Sequence, residues 1–168
     1  VVIGRVTAET AAWATVVGVA LCAAWLLRSR PPDERRRVAA FQAALERNPT
    51  HKDALNDLGI ALARGGQLRQ AIGVLERLVA TDPDNADAHL NLALILGPRN
   101  RLDEAIAHLR RVVEINPRNG DAYHNLAVAY RLQGRIDAAI PAAQAAVRLQ
   151  PDSAAARAQL QGLLAARG

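Results

Sequence analysis

Aromatic side chains make up only 3% of this 168-residue chain, one Phe, two Tyr and two Trp, and Met is absent. A core without bulky rings is built from thin aliphatic side chains, and abundant Ala, Leu and Arg favour helix on helix over a sheet. Cysteine occurs once, as Cys22, so an intrachain disulfide is excluded, and there is no Cys-x-x-Cys-His haem attachment sequence. No glycine-rich phosphate loop is present, because Gly65-Gly66 is followed by no Lys-Ser or Lys-Thr. His51, His89, His108 and His124 put no two imidazoles on one helix at metal-ligand spacing. No Ser, Cys or Lys nucleophile has an evident base. The sequence therefore offers no residue set for catalysis, a metal or a cofactor.

Charge of one sign is also scarce outside one stretch. The formal net charge is +5, of which +3 falls between Arg28 and Arg47, where six Arg meet three acids. The residues after Arg47 hold 14 basic and 12 acidic side chains, net +2. So even a balance argues against a nucleic-acid partner. Arg28, Arg30, Arg35, Arg36 and Arg37 instead suggest a cluster facing anionic lipid headgroups, worth about 1 kcal/mol each near the surface.

The apolar side of the composition is concentrated just before that cluster. Thr10 to Leu27 carries no charge, and its eighteen residues would make about 27 Å of helix, enough to cross a bilayer once. Trp13 and Trp25 stand near its two ends, where indoles prefer the headgroup level. A cleaved signal peptide fits less well, since Leu21 is a poor residue to precede a lipidated Cys22. Burial as an ordinary helix would need a larger core than the chain supplies. The expectation is a retained single span in a bacterial inner membrane. The arginine bias puts the following domain in the cytoplasm, and a periplasmic domain stays open.

Beyond the cluster, Pro49, Pro83, Pro117 and Pro151 recur every 34 residues. With units 52–85, 86–119 and 120–153, position seven reads Leu58, Leu92, Leu126 and position eight Gly59, Ala93, Ala127. Position eleven reads Leu62, Leu96, Tyr130; position twenty Ala71, Ala105, Ala139; position twenty-four Leu75, Leu109, Ala143; position twenty-seven Leu78, Val112, Ala146. Small residues at eight and twenty let two helices approach while larger ones fill the groove between them. Gly65-Gly66, Gly97-Pro98 and Gly134 interrupt each unit midway, and Asn85, Asn119 and Ser153 stand where they can cap the next helix. Such hairpins bury their apolar sides only by stacking. Pro98 shortens the first helix of the middle unit, and Pro141 is tolerable only in an opening turn. Ala143 and Ala146 make the last unit thin.

The period, with LNDLGIAL, HLNLALIL and YHNLAVAY followed by AIGVL, AIAHL and AIPAA, resembles the tetratricopeptide repeat family over residues 50 to 153. VAAFQAALERNP, residues 38 to 49, is similar to a partial unit, and AAARAQLQGLLAA, 154 to 166, to a closing helix. The expected fold is all-α: a single N-terminal transmembrane helix (1–30), a basic neck and partial repeat helix (31–49), a three-unit α-solenoid (50–153) and a capping helix (154–168).

The resemblance implies a binding surface lined by the first helix of each unit. Positions two, five, six and nine read Asp53, Asn56, Asp57, Ile60; Asp87, Leu90, Asn91, Leu94; and Asp121, His124, Asn125, Val128. That surface is mildly acidic with one apolar track. Asn91 and Asn125 look like paired amides for a peptide backbone, and the implied ligand is a neutral or basic segment. Members that grip a C-terminal carboxylate use Lys and Arg here, and Asp at position two in all three units does not match them. His89 and His124 approach each other only if adjacent units bring them together.

The expected function is a non-catalytic scaffold. It is either a subunit of a membrane complex, with an integral membrane protein and the lipid bilayer as contacts, or a tethered adaptor for a soluble partner in cytochrome maturation or envelope assembly. Ala11, Ala14, Gly18, Ala23 and Ala24 would permit packing of the span against another helix. Self-association through an Ala-rich face near Ala143 is a third reading.

Overall fold

The computed structural model describes residues 32–167, all helix and connecting turn. In chain order the elements are α1 (Pro32–Arg47), α2 (Lys52–Arg64), α3 (Leu68–Thr81), α4 (Ala86–Leu96), a 3₁₀ turn (Gly97–Arg99), α5 (Leu102–Ile115), α6 (Gly120–Leu132), α7 (Ile136–Leu149) and α8 (Ala154–Arg167). Each helix packs on the next, so α2–α3, α4–α5 and α6–α7 form three stacked hairpins between α1 and α8.

The recurring positions explain the stacking. Leu58, Leu92 and Leu126 are buried, as are Leu62, Leu96 and Tyr130, and the small residues Ala71, Ala105 and Ala139 have at most 1% exposure. A Cβ placed on Gly59 would sit 2.6 Å from Leu75 Cγ, so this glycine lets α2 lie directly on the fully buried Leu75. Tyr130, buried in the core, has its hydroxyl satisfied by Arg110 Nε at 2.9 Å, and the Arg135 guanidinium lies 4.8 Å from the ring centre.

Local chemistry sets the helix ends. The Asn85, Asn119 and Ser153 side chains accept from the amides of Ala88, Ala122 and Ala156 at 2.9, 2.9 and 3.2 Å. His51 Nδ1 does the same for Ala54 at 3.3 Å. These bonds satisfy amides a helix start leaves unpaired. The turn inside each hairpin uses one left-handed residue at the fifteenth position: Gly66, Asn100 and Gly134, with φ of 73°, 60° and 72°. Each allows the next amide to reach back, Gln67 to Leu62, Arg101 to Leu96 and Arg135 to Tyr130.

Both prolines differ in effect from a simple break. Pro98 follows an α4 of 11 residues, against 13 for α2 and α6, and the chain continues through the 3₁₀ turn to Asn100. Pro141 lies inside α7, beyond its first turn, and the helix runs on. The Pro141 side chain is exposed, so water can take over the bond it leaves unmade to the Asp137 carbonyl.

The membrane expectation is corrected. Among the described residues no helix is long and apolar enough to cross a membrane. The longest, α1, has 16 residues and includes Arg35, Arg36 and Arg37, which the sequence placed at headgroups. Here they belong to a helix packed on α2, and Arg37 is paired with Glu34 at 3.7 Å. The expected span at 10–27, with Trp13, Trp25, Arg28 and Arg30, lies outside the described residues. An uncharged run of that length sits at the lower limit for spanning, and hydropathy says what a segment can bury, not in what. The fold is therefore an all-α repeat solenoid. Single-pass inner-membrane placement, bilayer contact and an integral-membrane partner do not carry over to it.

The thin third hairpin is closed rather than sticky. Ala142, Ala143, Ala145 and Ala146 are at most 7% exposed, packed between α6 and α8. The alanine face expected to dock on a second copy is inside the fold, because small side chains let the neighbouring helices close over it.

Candidate functional site

Where the first helices of adjacent hairpins meet, they leave clefts. The first, about 600 Å³, lies between α2 and α4: Ile60, Ala63 and Arg64 form one wall, Asn91, Leu94, Ile95, Pro98 and Arg99 the other, and Leu68 and Leu75 lie on the α3 side. The second, about 210 Å³, lies between α4 and α6, with Leu94, Gly97 and Pro98 facing Asn125, Val128 and Leu132, and Leu102 and Leu109 on the α5 side. The two share repeat positions and the residues Leu94 and Pro98. Leu94 and Leu132 keep 49% and 56% of their surface exposed, large values for leucine in a repeat core.

The residues expected from sequence separate into three groups. Ile60, Asn91, Leu94, Asn125 and Val128 line these clefts, and Asp57 lines a third of about 290 Å³ beside Arg37 and Phe41 of α1. Several, cleft-lining ones included, are engaged internally. Asn91 Nδ2 donates to Asn56 Oδ1 at 3.0 Å, Asp121 Oδ1 accepts from Gln150 at 2.8 Å, and the His124 carbonyl accepts from Gln159 at 3.3 Å. Asn125 Nδ2 donates to the Asp121 carbonyl of its own helix at 2.9 Å. Asn91 and Asn125 thus do not act as a pair. Leu90 is half-buried against the core, while Asp53 and Asp87 are exposed.

The same helical stripe continues further than the sequence reading took it. Ala63, Arg64, Pro98, Arg99 and Leu132 occupy positions twelve to fourteen, one turn beyond Ile60, Leu94 and Val128. Extending the i, i+4 spacing from position nine to thirteen finds Arg64, Pro98 and Leu132.

A tetratricopeptide repeat model matches residues 35–68, 56–117 and 96–154, together most of the chain. The chain belongs to the tetratricopeptide repeat family. A crystal structure of MamA protein superposes with a TM-score of 0.76 at 25% identity, covering 81% of this chain and 74% of that one. MamA 41-end from Desulfovibrio magneticus RS-1 gives 0.76 at 22% identity, over 82% and 78%. YrrB, a TPR protein with an unusual peptide-binding site, gives 0.67 at 24% identity, over 79% and 66%; at these last two identities the likeness is one of fold. No curated protein matches in sequence. This tetratricopeptide repeat chain is a non-catalytic protein-interaction module. Among the described residues no three His, Cys, Asp or Glu side chains converge to hold a metal.

Two histidines do meet, His89 and His108, rather than His89 and His124. His89 is buried at 7% exposure and its Nδ1 lies 2.9 Å from His108 Nδ1, across the α4–α5 hairpin. His89 Nε2 is 3.1 Å from the Pro83 carbonyl, which can only accept, so this nitrogen carries the proton. His89 Nδ1 is then the acceptor and His108 Nδ1 the donor. Burial strips water from the charged form of His108, and a charge on His89 would oppose a second one, so its pKa lies below the ordinary imidazole value. His124 is on α6, the first helix of the next hairpin.

Proposed function

We propose that the chain is an adaptor that holds a segment of a partner protein along the apolar track Ile60, Leu94, Val128 and Leu132. The observation that carries this reading is the series of clefts between successive first helices, with Leu94 half-exposed on the wall shared by two of them. A solvated structural surface has no need of two large exposed leucines bordering one cleft. Burial of the open half of Leu94 by a ligand is worth about 1 kcal/mol, half the value for a whole leucine.

The reading is tested by selecting ligands from a random peptide display library and measuring each against wild type and Leu94→Asp. The exposed aspartate leaves the fold intact by circular dichroism, and binding falls by tenfold or more, roughly. Ligands that bind both proteins equally would place recognition elsewhere and end the groove reading.

A further inference from the structure

The two clefts arise from the same repeat positions, yet their chemistry differs. The second has no charged side chain in its lining. The first has Arg64 and Arg99 and neither Asp nor Glu. A shallow cleft of about 530 Å³ adjoins it through Leu68 and Arg99 and adds Arg69, again without an acid. Among the described residues none of these three arginines has an ion-pair partner, whereas Arg37, Arg101, Arg111 and Arg167 each do. Helix-end electrostatics account for Arg64 in the last turn of α2. They favour Arg99 as well, in the last turn of the 3₁₀ extension of α4, and do not account for Arg69 at the start of α3, the end that disfavours a cation.

We propose that the first cleft receives an acidic stretch of a partner protein that also carries an apolar side chain, its carboxylates pairing with Arg64 and Arg99. This rests on the groove reading and adds the sign and direction of the ligand. Guanidinium groups bind carboxylates through paired donors, and an apolar floor beside them strengthens the bond by thinning the water. The acids on the same face are Asp53, Asp87 and Asp121, at the opposite ends of their helices. Eleven residues separate Asp53 from Arg64, about 16 Å along the helix, well beyond the screening length of about 8 Å in physiological salt. Asp57 is closer to Arg64, and with Glu34 it lines the neighbouring cleft against α1, which Arg64 borders as well; Arg99 does not line that cleft, and the α2–α4 cleft itself has no acid. The neutral or basic ligand suggested by position two therefore does not suit this end of the groove. Packed helices lie about 8–10 Å apart, which a chain in the polyproline II conformation crosses in one turn of three residues, about 9 Å, so that the third side chain on returns to the same face. The ligand accordingly places acid and one apolar residue at α2–α4, and a second apolar residue about three positions on at α4–α6.

The test uses three acetylated and amidated fluorescent peptides. One has two glutamates beside a leucine and a second leucine three positions later; the others carry glutamine or lysine in place of glutamate. The glutamate peptide binds the full chain about tenfold more tightly than the lysine peptide, and the preference shrinks with added salt. In the double variant Arg64→Glu, Arg99→Glu, two exposed positions where folding is undisturbed, the order of the peptides reverses. Equal binding of all three, tighter lysine binding, or a preference unchanged by the double variant overturns the proposal while leaving the groove reading in place. So does absence of binding by any of the three, since the groove reading is decided separately by the display-selected ligands.

Discussion

The approach of α2 to α3 at Gly59 makes a quantitative prediction about packing. Leu75 is fully buried, and the place where a Gly59 Cβ would go lies 2.6 and 2.7 Å from its Cγ and Cδ2. Leu75→Ala removes those atoms. Core Leu→Ala changes cost about 2–5 kcal/mol, and Leu75 also borders the open cleft, so the expected cost is in the lower half, about 2–3 kcal/mol. Gly59→Ala alone gains up to about 1 kcal/mol of helix propensity but forces its methyl into Leu75, at about 1–3 kcal/mol. In the double variant the new methyl enters the volume that Leu75 vacates. The first hairpin then has the Ala–Ala pair that the third already uses at Ala127 and Ala143, both fully buried. The two changes should therefore compensate by about 1–2 kcal/mol relative to their sum. Urea unfolding followed by far-UV circular dichroism, with unchanged m, measures each corner of the cycle. Additivity within about 0.5 kcal/mol would refute the idea that residue size at these two positions sets the spacing of the paired helices.

Two further outcomes follow from the site and the caps. His108 titrates below its unfolded value, so the unfolded chain takes up protons first as pH falls; stability is full above about pH 6.5 and is lost through the window beneath it. Thermal melts from about pH 7.5 to about pH 5.5 should show the loss, and His108→Gln should flatten it; an unchanged slope in that variant assigns the pH response to other groups. Asp82, held down first by its bond from Lys52, and Glu104, by its bond from Arg101, respond only in more acidic solution. Asn119→Ala removes the acceptor for the Ala122 amide and costs about 1 kcal/mol; hydrogen exchange should speed up in the first turn of α6, and equal exchange would deny the cap its role.

Much of the architecture was legible because a 34-residue period repeats both size and polarity. Small residues at eight and twenty, apolar ones at seven, eleven and twenty-four, and capping side chains after Pro83, Pro117 and Pro151 all state local requirements that a neighbour in sequence can meet. Less was legible wherever two units meet. Asn91 reads as a free peptide donor until the fold brings Asn56 within 3.0 Å. Asp121 reads as a groove acid until Gln150 reaches it. His89 reads as a polar-surface histidine, with His124 in reach only across adjacent units, whereas the hairpin buries it and brings His108 to it. The membrane reading went astray for a related reason, since an apolar run of about eighteen residues specifies a need for burial but not the surroundings that meet it.

By itself, then, the sequence determined the helical hairpin, its period, its caps and its family, because these depend on spacing along one chain and on interactions a few residues apart. Only the tertiary structure decided which polar groups remain open at the surface. It placed Leu94 on two clefts at once, spent Asn56 and Asp121 on internal bonds, and set Arg64 and Arg99 on either wall of one opening. Residues 35 apart in sequence share that opening, and no local pattern records the distance between them until the hairpins have stacked.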